Sequence, residues 1–157
     1  MNILFLARLY WPHVGGVEKH LREISLRLGP RGHKIIIVTE RHDNHLSEHE
    51  IVDGIEIYRM PSGEKWQVWK WMIAHFYLLK WADVVHIHDV FYWYLPFIWY
   101  KKSYITFHGY EGSDLPTSGQ VFWHQLAAKL TRGNICIGDF HRKWYGVKPN
   151  FVSYGAI

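Results

Sequence analysis

Apolar positions along this chain follow two rhythms that alternate from end to end. Short apolar runs occupy residues 3–7, 34–39, 83–87, 104–107, 134–137 and 151–154 and read as strands. A further short strand, around Ile55, Ile57 and Tyr58, follows an Asp53-Gly54 hairpin or tight turn. Between the runs the spacing turns helical: Val17, Leu21, Ile24, Leu26 and Leu28 recur along one stretch. Residues 64–82, 121–130 and 139–144 read as further helices, and the polar, histidine-rich residues 41–50 as a surface loop. Strands alternating with helices predict βαβ units, hence an α/β protein. The fold class is a doubly wound parallel sheet in three layers, α/β/α. No repeat, low-complexity tract or linker divides the chain, so residues 1–157 are expected to form one domain.

In such a sheet ligands bind beyond the carboxyl ends of the strands. The first strand runs into Tyr10-Trp11-Pro12-His13-Val14-Gly15-Gly16, the fourth ends at His86-Ile87-His88-Asp89, and the fifth at His108-Gly109-Tyr110-Glu111-Gly112. Three loops bearing glycine, histidine and acids should therefore meet at one edge. A glycine pair that opens a helix lets a ligand approach the backbone. The unpaired N–H groups and positive dipole end there favour an anion such as phosphate. The alternative is a plain tight connection. No G-x-G-x-x-G is present, which argues against a nicotinamide enzyme. His86 and His88 share one strand face. With His108 they allow a metallohydrolase reading, against one in which one histidine is interior and the other lines the cleft. His108 at a strand tip can donate a hydrogen bond or carry a proton, or it can simply cap the next turn.

Composition narrows this further. The chain is 48% hydrophobic and 20% charged, which suits a packed core and excludes disorder. The single cysteine, Cys136, rules out an intrachain disulfide and reads as a buried thiol. A net charge of +4 permits nucleic acid, phosphate or an anionic membrane without selecting one. No nucleic-acid motif is present, and nucleic acid is not expected as a partner. With neither a signal peptide nor an apolar span of about 18 residues, a cytoplasmic location is expected. Aromatics reach 17%, with nine Trp. Trp66, Trp69, Trp71, Phe76, Tyr77 and Trp81, then Phe91 to Tyr100, are interleaved with lysines from Lys65 to Lys102. That composition suits peripheral contact with the inner face of an anionic membrane, or packing against the sheet and a partner.

Several of these segments, in order, resemble the amino-terminal domain of the GT-B glycosyltransferases of family 4, the "group 1" retaining enzymes. Tyr10 to Glu18 is similar to that family's Y-x-P-x-x-G-G-x-E, and Arg31-Gly32-His33 to its R-G-H. Asp53-Gly54-Ile55 with Arg59-Met60-Pro61 resembles D-G-V…R-x-P. Asp83 to His88 resembles D-V-V-H-x-H, and Thr106-Phe107-His108-Gly109 resembles T-x-H-G. Gly138 stands where the family often has Ser, and Tyr154 where it often has Asn.

The resemblance implies a Rossmann-like, acceptor-side half of a GT-B enzyme. It would transfer a sugar from a nucleotide-sugar donor to a lipid-linked or saccharide acceptor. It implies no metal and no cofactor beyond the nucleotide-sugar co-substrate. His108 would be the catalytic residue, facing the transferred sugar. Gly15, Gly16, Val17, Glu18, His13, His88 and Gly109 would bind donor phosphate or acceptor, or shape the cleft. A carboxy-terminal donor domain, which holds most of the nucleotide-sugar site in that family, is not among these residues. It would come from a longer chain or a separate subunit, and this chain alone should be inactive. Two alternatives stay open: a non-catalytic sugar- or lipid-binding adaptor that partners a donor domain, and the metallohydrolase.

Overall fold

The computed structural model describes residues 1–62, 64–88, 103–109 and 115–154. Among them, eight strands form one sheet: β1 (Asn2–Leu6), β2 (Lys34–Arg41), β3 (His49–Val52), β4 (Ile55–Pro61), β5 (Val84–His88), β6 (Ser103–Phe107), β7 (Gly133–Ile137) and β8 (Phe151–Ser153). Their order is β3-β4-β2-β1-β5-β6-β7-β8. Every pairing is parallel except β3 with β4. The described helices are α1 (Gly16–Leu28), α2 (Lys65–Ala74), α3 (Phe76–Trp81), α4 (Ser118–Leu130) and α5 (Phe140–Trp144). The α/β class and its mostly parallel sheet thus follow the apolar rhythm of the chain.

Side chains alternate across the pleat, so each inner strand feeds two cores. Ile3 and Phe5 of β1 and Ala7 just beyond it, with Ile35, Ile37, Ile55 and Ile57, pack under α1 through Leu21. Leu4, Leu6, Ile36 and Val38 point the other way, into a cluster with Val68, Met72, Leu78 and Leu79 from α2 and α3, and with Ala127 and Tyr145. Each such side chain, fully buried, contributes roughly 1.5–3 kcal/mol. Cys136 is buried as expected, and burial pushes its thiol up to about 11.

Three expectations need correction. The loop at 41–50 shrinks, because β2 runs on to Arg41 and β3 starts at His49. An edge strand needs an apolar side on one face only, so β3 can carry His49 and Glu50 and still pair. His49 Nε2 lies 2.9 Å from Glu56 Oε1 across the pair. This hairpin is also the antiparallel exception; Asp53 and Gly54, both at positive φ (54° and 78°), make its two-residue turn. The helix expected at 64–82 is two helices that meet at His75. There Nδ1 bonds the Trp71 carbonyl at 2.8 Å and the ring stacks on Trp71 at 3.8 Å, giving the backbone a local competitor. Helix α4 starts at Ser118, ahead of residue 121, because Thr117 and Gln120 form a capping box. The aromatic stretch, for which the sequence leaves contact and packing both open, divides: Trp71, Phe76 and Trp81 pack on the core, whereas Trp66, Trp69 and Tyr77 are exposed. Residues 89–102, with Asp89 and the second half of that stretch, lie outside the described residues, as do Tyr110, Glu111 and Gly112.

Candidate functional site

The carboxyl ends of β1, β5 and β6 lie side by side, since Leu6 is in register with Ile87 and His88 with Thr106. Gly15 is the N-cap of α1 in extended conformation, with no side-chain cap. The first intrahelical bond runs from Lys19 N–H to Gly15 C=O (3.1 Å), so the N–H groups of Gly16, Val17 and Glu18 precede the ladder. The Glu18 carboxylate lies over Gly15 and is hydrogen-bonded to His13 Nδ1 at 3.1 Å. A side chain at Gly15 would strike that carboxylate, whereas a Cβ at Gly16 would meet no atom of another element within 4 Å among the described residues. Beside this turn is a shallow cavity of about 220 Å³, lined among others by Tyr10, Trp11, His13, Glu18 and Arg22. A larger hollow of about 640 Å³, at the opposite sheet edge near His33 and Asp53, is remote from the strand-end histidines.

Four imidazoles sit together where the carboxyl-terminal part of β5 and the end of β6 meet α1. His88 Nδ1 and His108 Nε2 are 2.7 Å apart, so one ring donates and the other accepts. His86 stacks on His88 at 4.7 Å between centroids, and its Nε2 lies 2.8 Å from Thr106 Oγ1. His20, on α1, meets His108 edge-on at 5.0 Å and His88 at 6.1 Å. Burial foremost, then the His20 imidazole, pushes His86 down to about 4. Burial, then His20, His86 and His141, pushes His108 down to about 3. His88, 1% exposed, is held well below its usual range by burial and then by the other imidazoles. These rings are neutral at physiological pH, and act through hydrogen bonds rather than charge. Among the described residues no group of three or more His, Cys, Asp or Glu is arranged to hold a metal ion.

Of the residues singled out in the sequence, His88 and His108 come into contact, and Gly109 follows His108. Gly15, Gly16, Val17, Glu18 and His13 form the neighbouring turn. His20 joins the two groups, and it was not singled out. Its signal is its place between Val17, Leu21 and Ile24, a polar residue on an otherwise apolar helix face. Arg59 was quoted only as part of a motif. Its side chain is fully buried, pairs with Glu50, and donates to Trp11 C=O (2.7 Å) and Ser47 C=O (3.0 Å). It therefore ties β4 to the loop that precedes the glycine turn. Arg22 adds a second tie, donating to Asp53 at 2.5 Å and lying 5.7 Å from the Trp11 ring centroid.

Comparison with known proteins gives this geometry a context. The profile of Glycosyltransferase Family 4 matches residues 14–147. A 60-residue segment is 37% identical to one component of the human phosphatidylinositol N-acetylglucosaminyltransferase, covering 38% of this chain and 12% of that protein. The Arabidopsis thaliana protein of the same name is 28% identical over 61 residues, covering 39% and 14%. The matched segments are thus a small part of those relatives. Among solved structures, sucrose-phosphate synthase from Thermosynechococcus elongatus superposes with a TM-score of 0.72 at 14% identity, over 96% of this chain and 47% of that one. The α,α-trehalose 6-phosphate synthase from Burkholderia multivorans gives 0.51 at 11% identity, over 92% and 41%. These structural likenesses speak to the fold.

Proposed function

The chain belongs to Glycosyltransferase Family 4, and from that premise we propose that it is the acceptor-side half of a retaining sugar transferase, completed by a donor domain. The observation that carries the reading is the His20–His108 contact, 5.0 Å between ring centroids. His20 is one helical turn beyond Gly16, so this contact brings the glycine turn and the strand-end histidine into one cleft. In the reaction the bond from the sugar's anomeric carbon to the nucleoside diphosphate breaks, a bond to the acceptor hydroxyl oxygen forms, and the hydroxyl proton passes to the departing diphosphate. The N–H groups of Gly16 and Val17 offer hydrogen bonds and the helix dipole to the departing diphosphate. Glu18 and His13 face incoming hydroxyl groups, and Gly109 leaves room beside His108. His88 is a positioning residue: through its bond to Nε2 it sets the orientation of the His108 ring toward the transferred sugar. With His108 uncharged, that ring supports the developing charge by a hydrogen bond. The human and Arabidopsis thaliana relatives bear the name phosphatidylinositol N-acetylglucosaminyltransferase, and a lipid-linked acceptor fits a cleft whose rim exposes Trp11 and Val14.

The test uses Gly16. The described residues leave room for a methyl group there, and Ala is the better helix former. In the chain assembled with a donor domain, Gly16→Ala should leave the urea midpoint unchanged or raised, while sugar transfer falls at least about tenfold through lost backbone approach. Unchanged transfer would remove the diphosphate from this turn. Absence of sugar transfer from the assembled parent protein would instead favour the non-catalytic adaptor, in which the same cleft holds a sugar or lipid without group transfer.

A further inference from the structure

Two segments singled out in the sequence supply no side chain to the histidine cleft. Arg31-Gly32-His33 and Asp53-Gly54-Ile55 are separate in the chain, yet His33 and all of Asp53-Gly54-Ile55 line the same hollow of about 640 Å³. Its walls come from the end of α1, the start of β2 and the β3–β4 hairpin. Helix α1 separates this hollow from the cleft: Gly16 opens the helix at one end and Gly29 follows it at the other, about 20 Å away by helical rise. Packing defects rarely exceed a water molecule, whereas small-molecule sites reach this volume.

The hollow also holds polar atoms that the fold leaves without partners. Ser25, on α1, is 1% exposed, and its Oγ makes no hydrogen bond among the described residues. A serine inside a helix can return its hydroxyl to the carbonyl four residues earlier, and Ser25 does not. His33 Nδ1 is likewise enclosed and unpartnered among the described residues. Burying such groups unpaired is costly, so each needs an explanation. Carboxylates at the rim, by contrast, are already engaged. Asp53 is held by Arg22, and Glu56 accepts from Tyr58 at 2.8 Å and lies 2.9 Å from His49 Nε2. They call for no cation. The carbonyl end of α1 lies in the wall and disfavours an anion. What remains is a demand for an uncharged hydroxyl group. Ser25 can donate or accept, and His33 Nδ1 accepts in its Nε2–H tautomer. Leu26, Ile35, Ile51 and Trp81 supply an apolar wall for the body of such a molecule.

We propose that this hollow is a second ligand site, which takes an uncharged, ring-sized molecule carrying a hydroxyl group. The hydroxyl lies at Ser25 and His33, and the ring rests against the apolar wall. The site is separate from the cleft and does not depend on sugar transfer.

A pair of probes that differ by one hydroxyl group, p-cresol and toluene, tests it on the purified chain. In amide correlation spectra p-cresol should produce saturable shifts at residues 25–36 and 51–56 and leave residues 15–20 unchanged. It should bind at least about fivefold more tightly than toluene. Ser25→Ala should weaken p-cresol about fivefold and leave toluene unaffected. The same change should leave the urea midpoint unchanged or raised, because it removes a buried hydroxyl that has no partner. Absence of saturable shifts at the hollow, shifts centred on the cleft, equal binding of toluene, or a Ser25→Ala variant that binds p-cresol as the parent does overturns the proposal. So does a lowered urea midpoint for Ser25→Ala, which would give the hydroxyl a structural role such as holding a water molecule.

Discussion

Buried neutral imidazoles should make this fold acid-labile, and His141 allows the effect to be measured one ring at a time. His141 is fully buried against Phe107, Phe140 and Tyr145, and neither ring nitrogen has a hydrogen-bond partner among the described residues. Burial, then the neighbouring His124, pushes it down to about 4. The unfolded chain titrates near 6.5, so between the two values it binds a proton that the folded chain refuses. Stability is therefore fully present above about pH 6.5 and is lost as pH falls toward 4. Going from pH 7.5 to 5.0 should cost about 2 kcal/mol for this ring alone. His86, His88 and His108 are shifted the same way and deepen the loss. Set against a typical stability of about 5–15 kcal/mol, that is a large fraction. Urea unfolding at the two pH values measures it. The midpoint should drop markedly at pH 5.0, and His141→Leu should recover about 2 kcal/mol there while changing little at pH 7.5. A midpoint independent of pH, or a His141→Leu variant with the same pH slope as the parent, would refute the reasoning.

Other expectations follow from the ties around the cleft. Arg59→Leu should destabilise the fold by roughly 3 kcal/mol, since it breaks a buried ion pair and leaves the Trp11 carbonyl without its donor. Amide exchange at residues 10–14 should quicken with it, and unchanged exchange there would deny Arg59 its anchoring role. In the completed enzyme His108→Ala should lower transfer by about 10²-fold or more while binding of the acceptor changes less. His88→Ala should reproduce part of that loss, and His88→Asn, which keeps a side-chain donor, should restore some of it. The chain by itself should show no sugar transfer in a radiolabelled-donor assay, because the proposed function assigns positioning of the donor to a donor domain; robust turnover would refute the two-domain reading.

Much of this architecture is legible in local pattern. The apolar runs mark β1, β2 and β5 to β8, and the glycine pair marks where α1 begins, because strand burial and helix entry are written in adjacent residues. Thr117-x-x-Gln120 is a capping box that could have been read directly. His88 and His108 could be named as strand-end residues, each on its own strand. That they share a hydrogen bond depends on β5 and β6 being neighbours, and strand order comes from crossover handedness and the packing of two helix layers. His20 entered the cleft by the same route, since residues 20, 88 and 108 meet only after α1 has docked across β1. Arg59 shows the limit most clearly: buried charge is costly, and nothing near it in the chain announces that Glu50 and the carbonyls of Ser47 and Trp11 will satisfy it. The tryptophans of α2 divide in the same way, since composition lists them all alike and only packing on the sheet decides that Trp71 turns inward while Trp66 and Trp69 are left outside.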